Sequence, residues 1–224
     1  RPRAAYAAMI SDLDRHVGAV MAELKKQGLS EKTIVVFTSD NGSTHEGKPN
    51  QHFHIGGADP EFFHSTLDLK GYKGSVYEGG LRVPMIVRYP SKIKAGSKND
   101  TPSYFADWFR TLSAAAGLES KTKTDGVNLW PVMLDAKQTI DRNPMLWFYP
   151  EYQGQVAVNF GDIKVLKRKL STKKPGDWEV YNIATDRGET TNLAATHGEW
   201  IEKAKALLKQ QVDENPNFRM AIPE

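Results

Sequence analysis

The chain has 224 residues, of which 39% are hydrophobic and 25% are charged, a composition typical of a soluble globular protein. Lys and Arg total 30 and Asp and Glu total 27, so the net charge of +3 is too small to favour a nucleic-acid partner. No apolar run approaches the about twenty residues that span a membrane. The absence of cysteine excludes disulfides and thiolate metal sites within this stretch. Because the chain opens on Arg1-Pro2-Arg3 without a signal peptide, we expect its true beginning upstream.

The first half of the chain alternates predicted helices with strands. Residues 4–27 predict an amphipathic helix, because apolar side chains recur at spacings of three and four. Residues 33–38 form a β-branched run without polar alternation, which favours a central parallel strand covered on both faces. A second strand is predicted at 83–89 and a second helix at 104–116.

The second half predicts short strands at 145–149, 155–160, 163–169 and 178–182, and then a closing helix at 199–212. The fold class is therefore α/β, with part of a mixed, mostly parallel sheet flanked by helices and a small C-terminal α+β subdomain. The subdomain is expected to combine an antiparallel sheet with one helix. We predict domains at residues 1–143 and 144–224.

A first candidate site is the sequence Ser39-Asp40-Asn41-Gly42, directly after the predicted buried strand. Ligands of α/β folds bind at the carboxyl ends of strands, and side-chain oxygens are the donors that Ca²⁺ and Mg²⁺ prefer. Taken alone, however, these four residues are more typical of a simple turn.

A second candidate site is the segment 70–82, which contains four glycines and is basic near its start. The ammonium group of Lys73 could neutralise a tetrahedral anion. Glu78 and Arg82, four residues apart, could brace the segment with an ion pair. The spacing matches neither a Walker loop nor a dinucleotide fingerprint, and alone it favours an ordinary surface turn.

Together and in this order, residues 34–42 and 71–84 resemble two signatures of the sulfatase family, of the arylsulfatase and N-acetylgalactosamine-6-sulfatase type, within the alkaline phosphatase superfamily. Supporting similarities lie at 6–18, 105–117, 125–126 and 179–193. The resemblance implies that Asp40 and Asn41 bind Ca²⁺ through side-chain oxygens. It implies that Lys73 is a catalytic residue that contacts a sulfate oxygen of the substrate, with Lys70 as a weaker candidate for substrate contact.

The family's nucleophile is a formylglycine made within a Cys/Ser-x-Pro-x-Arg sequence, and no such sequence occurs here. We therefore expect the nucleophile and the remaining calcium ligands in an N-terminal half. By resemblance, the full-length protein is a sulfuric ester hydrolase of the periplasm or the cell exterior, and this fragment alone is inactive. A phosphate or phosphonate ester hydrolase of the same superfamily and a non-catalytic sulfated-glycan binder remain alternatives.

The loop after the first motif contains His45, His52, His54 and His64. Their loose spacing argues against a second metal site, and we expect His52 and His64 to be solvated. His45 is the candidate for substrate contact, because it follows Gly42 by three residues. Trp147, Tyr149 and Tyr152 are candidates for stacking on a sugar ring, although core packing is favoured for the first two.

Overall fold

The computed structural model of the protein describes residues 2–44, 58–212 and 216. In chain order the elements are α1 (Pro2–Lys26), β1 (Val35–Thr38), α2 (Glu78–Leu81), β2 (Met85–Arg88), α3 (Asp107–Ala115), α4 (Trp130–Leu134), β3 (Met145–Tyr149), β4 (Gln155–Asn159), β5 (Ile163–Arg168), β6 (Trp178–Asn182) and α5 (Gly198–Gln211). Within the described ranges, no helix combines the length and the apolar character needed to cross a membrane.

The contacts between residues divide the chain into two compact units. The first unit contains residues 1–12, 39–84 and 144–224, and the second contains 13–38 and 85–143. One of the cuts falls at the predicted domain boundary between 143 and 144. The segment 39–84, however, groups with the C-terminal sheet, so the two-domain division at residue 143 stays a prediction.

The first unit is built on a four-stranded antiparallel sheet in the order β3-β4-β5-β6. Side chains along a strand point alternately to the two faces of its sheet. Val156 and Val158 of β4 pack with Leu208 of α5 on one face. Ala157, between them, packs with Val76 on the other face. The sheet is therefore covered by α5 on one side and by the segment that follows Lys73 on the other.

In the second unit, β1 and β2 form an antiparallel pair, with Val35 opposite Arg88. The mixed α/β fold class is confirmed, whereas a parallel pairing of β1 is not observed among the residues that the structure describes and stays a prediction. Coverage on both faces is also not observed, because Phe37 is 39% exposed and Ile86 of β2 is 63% exposed. An unbroken apolar run indicates a tendency toward burial, but it carries no information about the direction of the neighbouring strand.

A buried aspartate organises the helices of the second unit. Asp107, at the start of α3, is fully buried and lies 3.0 Å from the guanidinium of Arg142. Its Oδ1 also accepts the backbone N–H of Val127 at 2.8 Å. The hydroxyl of Thr111, one turn along α3, accepts the N–H of Leu129 just before α4. These contacts fix the connection between the two helices.

Candidate active site

The turn after β1 presents the two predicted calcium ligands. The hydroxyl of Ser39 donates to the carbonyl oxygen of Asn41 at 2.9 Å, which closes the turn. The amide nitrogen of Asn41 donates to the carbonyl of Gly42 at 3.1 Å, so its amide oxygen is the atom left to bind a cation. Asp40 is exposed and Asn41 is partly buried. The turn thus offers a carboxylate and an amide oxygen, which suit a hard cation.

Gly42 brings this turn against the glycine-rich segment. Its backbone N–H donates to the carbonyl oxygen of Gly80 at 2.9 Å. A Cβ atom on Gly42 would overlap the carbonyl oxygen of Gly79, so no larger residue fits without a shift of the backbone. The glycine at position 42 is therefore explained by the close approach of two backbones.

Lys73 lies beside the same turn. Its backbone N–H donates to the carbonyl oxygen of Ser43 at 2.8 Å, and its side chain is exposed. This bond and the one between Gly42 and Gly80 join two segments that are about thirty residues apart in the sequence. A lysine on a segment that is bonded to this turn can act with a bound cation on one anionic group.

The buried side chain of Gln155, at the start of β4, holds the segment after Lys73. Its Nε2 donates to the carbonyl oxygen of Gly74 at 2.7 Å, and its Oε1 accepts the N–H of Val76 at 3.4 Å. Gln155 is only 4% exposed, so these bonds are shielded from competing water. The C-terminal sheet thus fixes the backbone that carries Lys73.

A buried ion cluster fixes the far end of the glycine-rich segment. Lys164 Nζ lies 2.8 Å from Glu78 Oε1 and 3.0 Å from Glu189 Oε1, and Lys164 and Glu189 have no exposed surface. Glu189 Oε2 accepts the backbone N–H of Glu78 at 2.7 Å. Burial raises the pKa of Glu189, and the charge of Lys164 opposes that rise. The predicted ion pair between Glu78 and Arg82 is present at 3.5 Å.

Lys70 points its ammonium group at the C-terminal sheet. The ammonium donates to the hydroxyl of Tyr181 and to the carbonyl of Glu189, both at 3.1 Å, and lies 4.3 Å from the ring centroid of Tyr77. Burial, and then the hydrogen bond to Glu179, raise the pKa of both tyrosines, so their hydroxyls stay protonated donors. These contacts favour a structural role for Lys70, and its contact with substrate stays a prediction.

The structure does not bring the predicted histidines or a full set of calcium ligands into the described site. His45, His52 and His54 lie outside the described residues. Within the described ranges no group of three or more His, Cys, Asp and Glu side chains could hold a metal ion. The oxygen atoms of Asp40 and Asn41 are of the type that binds calcium. Two such side chains supply only part of the roughly six to eight oxygen ligands that calcium takes.

Sequence reasoning missed the residues that anchor the site, Gln155, Lys164 and Glu189. A signal existed for Lys164, because a charged residue stands in a strand whose neighbours are mostly apolar. Its partner Glu78 lies 86 positions away, and no local pattern indicates a pairing over that distance.

Comparison with known proteins identifies the family. The family model described as "Sulfatase" matches residues 1–118, more than half of the chain. The chain belongs to the sulfatase family. A second model, described as "N-sulphoglucosamine sulphohydrolase, C-terminal", matches residues 71–217. The family resemblance inferred from the two motifs is thereby confirmed.

Individual sulfatases are similar along nearly the whole chain. An N-acetylgalactosamine-6-sulfatase of Canis lupus familiaris is 34% identical over 224 residues, which are 98% of this chain and 39% of that protein. An N-acetylglucosamine-6-O-sulfatase of Bacteroides thetaiotaomicron is 30% identical over 230 residues, covering 97% of this chain and 37% of that protein. The crystal structure of Ps i-CgsB in complex with k-i-k-neocarrahexaose superimposes with a TM-score of 0.77 at 26% identity, covering 94% of this chain and 43% of that one. The chain thus spans well under half the length of these relatives.

Proposed function

We propose that this chain supplies calcium and sulfate ligands to a sulfuric ester hydrolase whose nucleophile lies in an N-terminal half. The observation that carries the proposal is the hydrogen bond from the N–H of Lys73 to the carbonyl oxygen of Ser43. It joins the lysine of the second sulfatase signature to the turn that holds Asp40 and Asn41. Because the chain belongs to the sulfatase family, the reaction that we assign to Lys73 and this turn is hydrolysis of a sulfate ester.

In this proposal the carboxylate of Asp40 and the amide oxygen of Asn41 bind Ca²⁺, and the exposed ammonium of Lys73 contacts a sulfate oxygen. A bound Ca²⁺ supplies Lewis-acid stabilisation of charge on the sulfate oxygens. Lys73 adds a second positive charge. Its stabilisation of negative charge on the sulfate is stronger where water is excluded. Gln155 donates to the carbonyl of Gly74 and accepts the N–H of Val76, and these two bonds fix the backbone next to Lys73.

The whole protein would contain further parts of the site. A formylglycine nucleophile and the remaining calcium ligands are expected in the N-terminal half, which would be the partner of this chain. The substrate is expected to be a sulfated sugar, because relatives are named as sulfatases of N-acetylhexosamines. Export to the periplasm or the cell exterior follows from the family resemblance alone.

The test is hydrolysis of 4-nitrophenyl sulfate and 4-nitrophenyl phosphate by the full-length protein and by the 224-residue chain, each with and without a calcium chelator. We expect calcium-dependent cleavage of the sulfate ester by the full-length protein and no turnover by the shorter chain. A preference for the phosphate ester would favour a phosphoryl hydrolase. Tight binding of sulfated glycans without turnover of either ester would favour a binding protein.

A further inference from the structure

Tyr152 is the one exposed tyrosine among the described residues. It lies in the loop between β3 and β4 and is 52% exposed. Trp147 and Tyr149, on the adjacent strand, pack against the cluster formed around Val76 and Tyr77. Tyr152 belongs to neither of the two core clusters, so core packing does not explain its position.

The backbone at Tyr152 adopts a conformation that side chains rarely take. Tyr152 has φ of 49°, Gln153 has φ of 73° and Gly154 has φ of 75°, so three consecutive residues are left-handed. Two of them are not glycine, and such a conformation costs free energy unless surrounding contacts enforce it. Here the N–H groups of Leu170 and Ser171 donate to the carbonyls of Gly154 and Gln153 at 3.0 and 2.8 Å. Strain that persists under such constraint is commonly found where function requires one orientation.

The enforced loop places the tyrosine ring against the residue after Lys73. A Cβ atom on Gly74 would lie 2.7 Å from Cζ of Tyr152, so a larger residue at position 74 would displace the ring. The ring of Tyr149 stacks behind it, with centroids 5.9 Å apart and planes at 27°. Gln155, three residues beyond Tyr152, donates to the Gly74 carbonyl and so fixes the hairpin to this backbone.

Single exposed apolar side chains are common on protein surfaces and need no explanation. Tyr152 differs because a strained backbone holds it in its exposed position, and because its ring packs on Gly74, the residue after Lys73. A rigid tyrosine with an apolar face and a polar edge suits a pyranose ring, which combines apolar C–H groups with hydroxyls. Lys73, one residue from the ring's contact point, suits a sulfate group on that sugar.

We infer that Tyr152, backed by Tyr149, is the subsite that stacks on the sugar ring whose sulfate contacts Lys73. The inference rests on the proposed function, since it needs Lys73 to bind sulfate. Tyr152 would then contribute to the affinity for the sugar, whereas Lys73 and the bound cation would act on the sulfate ester itself.

The test uses the full-length sulfatase with 6-O-sulfated N-acetylglucosamine and 6-O-sulfated N-acetylgalactosamine as substrates, and inorganic sulfate as a competitive inhibitor. Tyr152→Asn removes the ring, and asparagine tolerates the left-handed backbone. We expect KM for the sugar to rise about tenfold, with kcat and the inhibition constant of sulfate changed by less than about twofold. Tyr152→Phe keeps the ring, so its KM for the sugar should equal that of the wild type.

Leu67→Asn is the matched control, because Leu67 is also left-handed at φ of 52° and is 80% exposed. An equal rise in KM for Leu67→Asn, or an unchanged KM for Tyr152→Asn, would overturn the subsite. Cleavage of 4-nitrophenyl sulfate without cleavage of either sugar would overturn the subsite and leave the hydrolase function intact. Failure to cleave any sulfate ester would overturn both.

Discussion

Lys164 Nζ and Glu78 Oε1 lie 2.8 Å apart, and the lysine has no exposed surface. This contact links the second residue of β5 to the first residue of α2, which lies at the end of the glycine-rich segment. Glu189 completes the cluster and binds the backbone of Glu78 as well. Charges buried in the C-terminal sheet therefore fix the end of the glycine-rich segment that lies away from Lys73.

Lys164→Met should destabilise the full-length sulfatase by about 3–5 kcal/mol, because it leaves the buried carboxylate of Glu189 without its cation and that of Glu78 with Arg82 alone. Lys205→Met is the matched control. Lys205 lies at the same 2.8 Å from Glu202, but that pair is on the surface, so its loss should cost less than about 1 kcal/mol. Denaturant unfolding measures both, and similar losses for the two variants would contradict the importance of the buried cluster.

Gly42→Ala should disrupt the junction between the two signatures, because the added Cβ would overlap the carbonyl oxygen of Gly79. We expect a loss of at least about 1–3 kcal/mol in the free energy of unfolding. Gly18→Ala is the control, since a Cβ on Gly18 in α1 meets nothing within 4 Å. That change should raise stability by about 0.5–1 kcal/mol, because alanine favours helix. If Gly42→Ala leaves the free energy of unfolding unchanged, the two backbones can separate at little cost.

Asp186 should make the turn before Glu189 sensitive to acid. Its carboxylate accepts the backbone N–H groups of Thr190 and Thr191, both at 2.9 Å. The bond from Thr191 is the largest cause that lowers the pKa of Asp186 below its ordinary 3.8, against the opposing effect of burial. A lowered folded-state pKa gives stability that is present above the unfolded value and is lost as the pH falls through the folded one.

The free energy of unfolding of the wild type should therefore exceed that of Asp186→Asn near neutral pH, and the difference should narrow as the pH falls below about 4. Urea unfolding at a series of pH values measures this difference. A difference that is constant or grows toward acid would show that the ionised carboxylate does not stabilise the turn.

The strands of the C-terminal sheet could be predicted to within one or two residues, because apolar runs there are separated by Gly, Pro and Asp turns. The direction of β2 relative to β1 could not, since pairing is decided by chain connections that no local pattern records. Asp40 and Lys73 were predicted as site residues from family signatures rather than from chemistry, because each motif alone also fits a turn. Gln155 was missed, because the strand that contains it was predicted from its apolar residues and its polar side chain was not considered.

The most direct test is a double-mutant cycle on kcat/KM for 4-nitrophenyl sulfate in the full-length protein, with Asp40→Ala, Lys73→Ala and the double variant. Asp162→Ala, an exposed aspartate in the turn between β4 and β5, is the control and should keep activity within about twofold. Each single change at the site should cost about a hundredfold or more. The fold loss in kcat/KM of the double variant should be clearly smaller than the product of the two single losses, because both residues act on one sulfate group. Losses that multiply fully, or an unchanged rate in either single variant, would contradict a shared site.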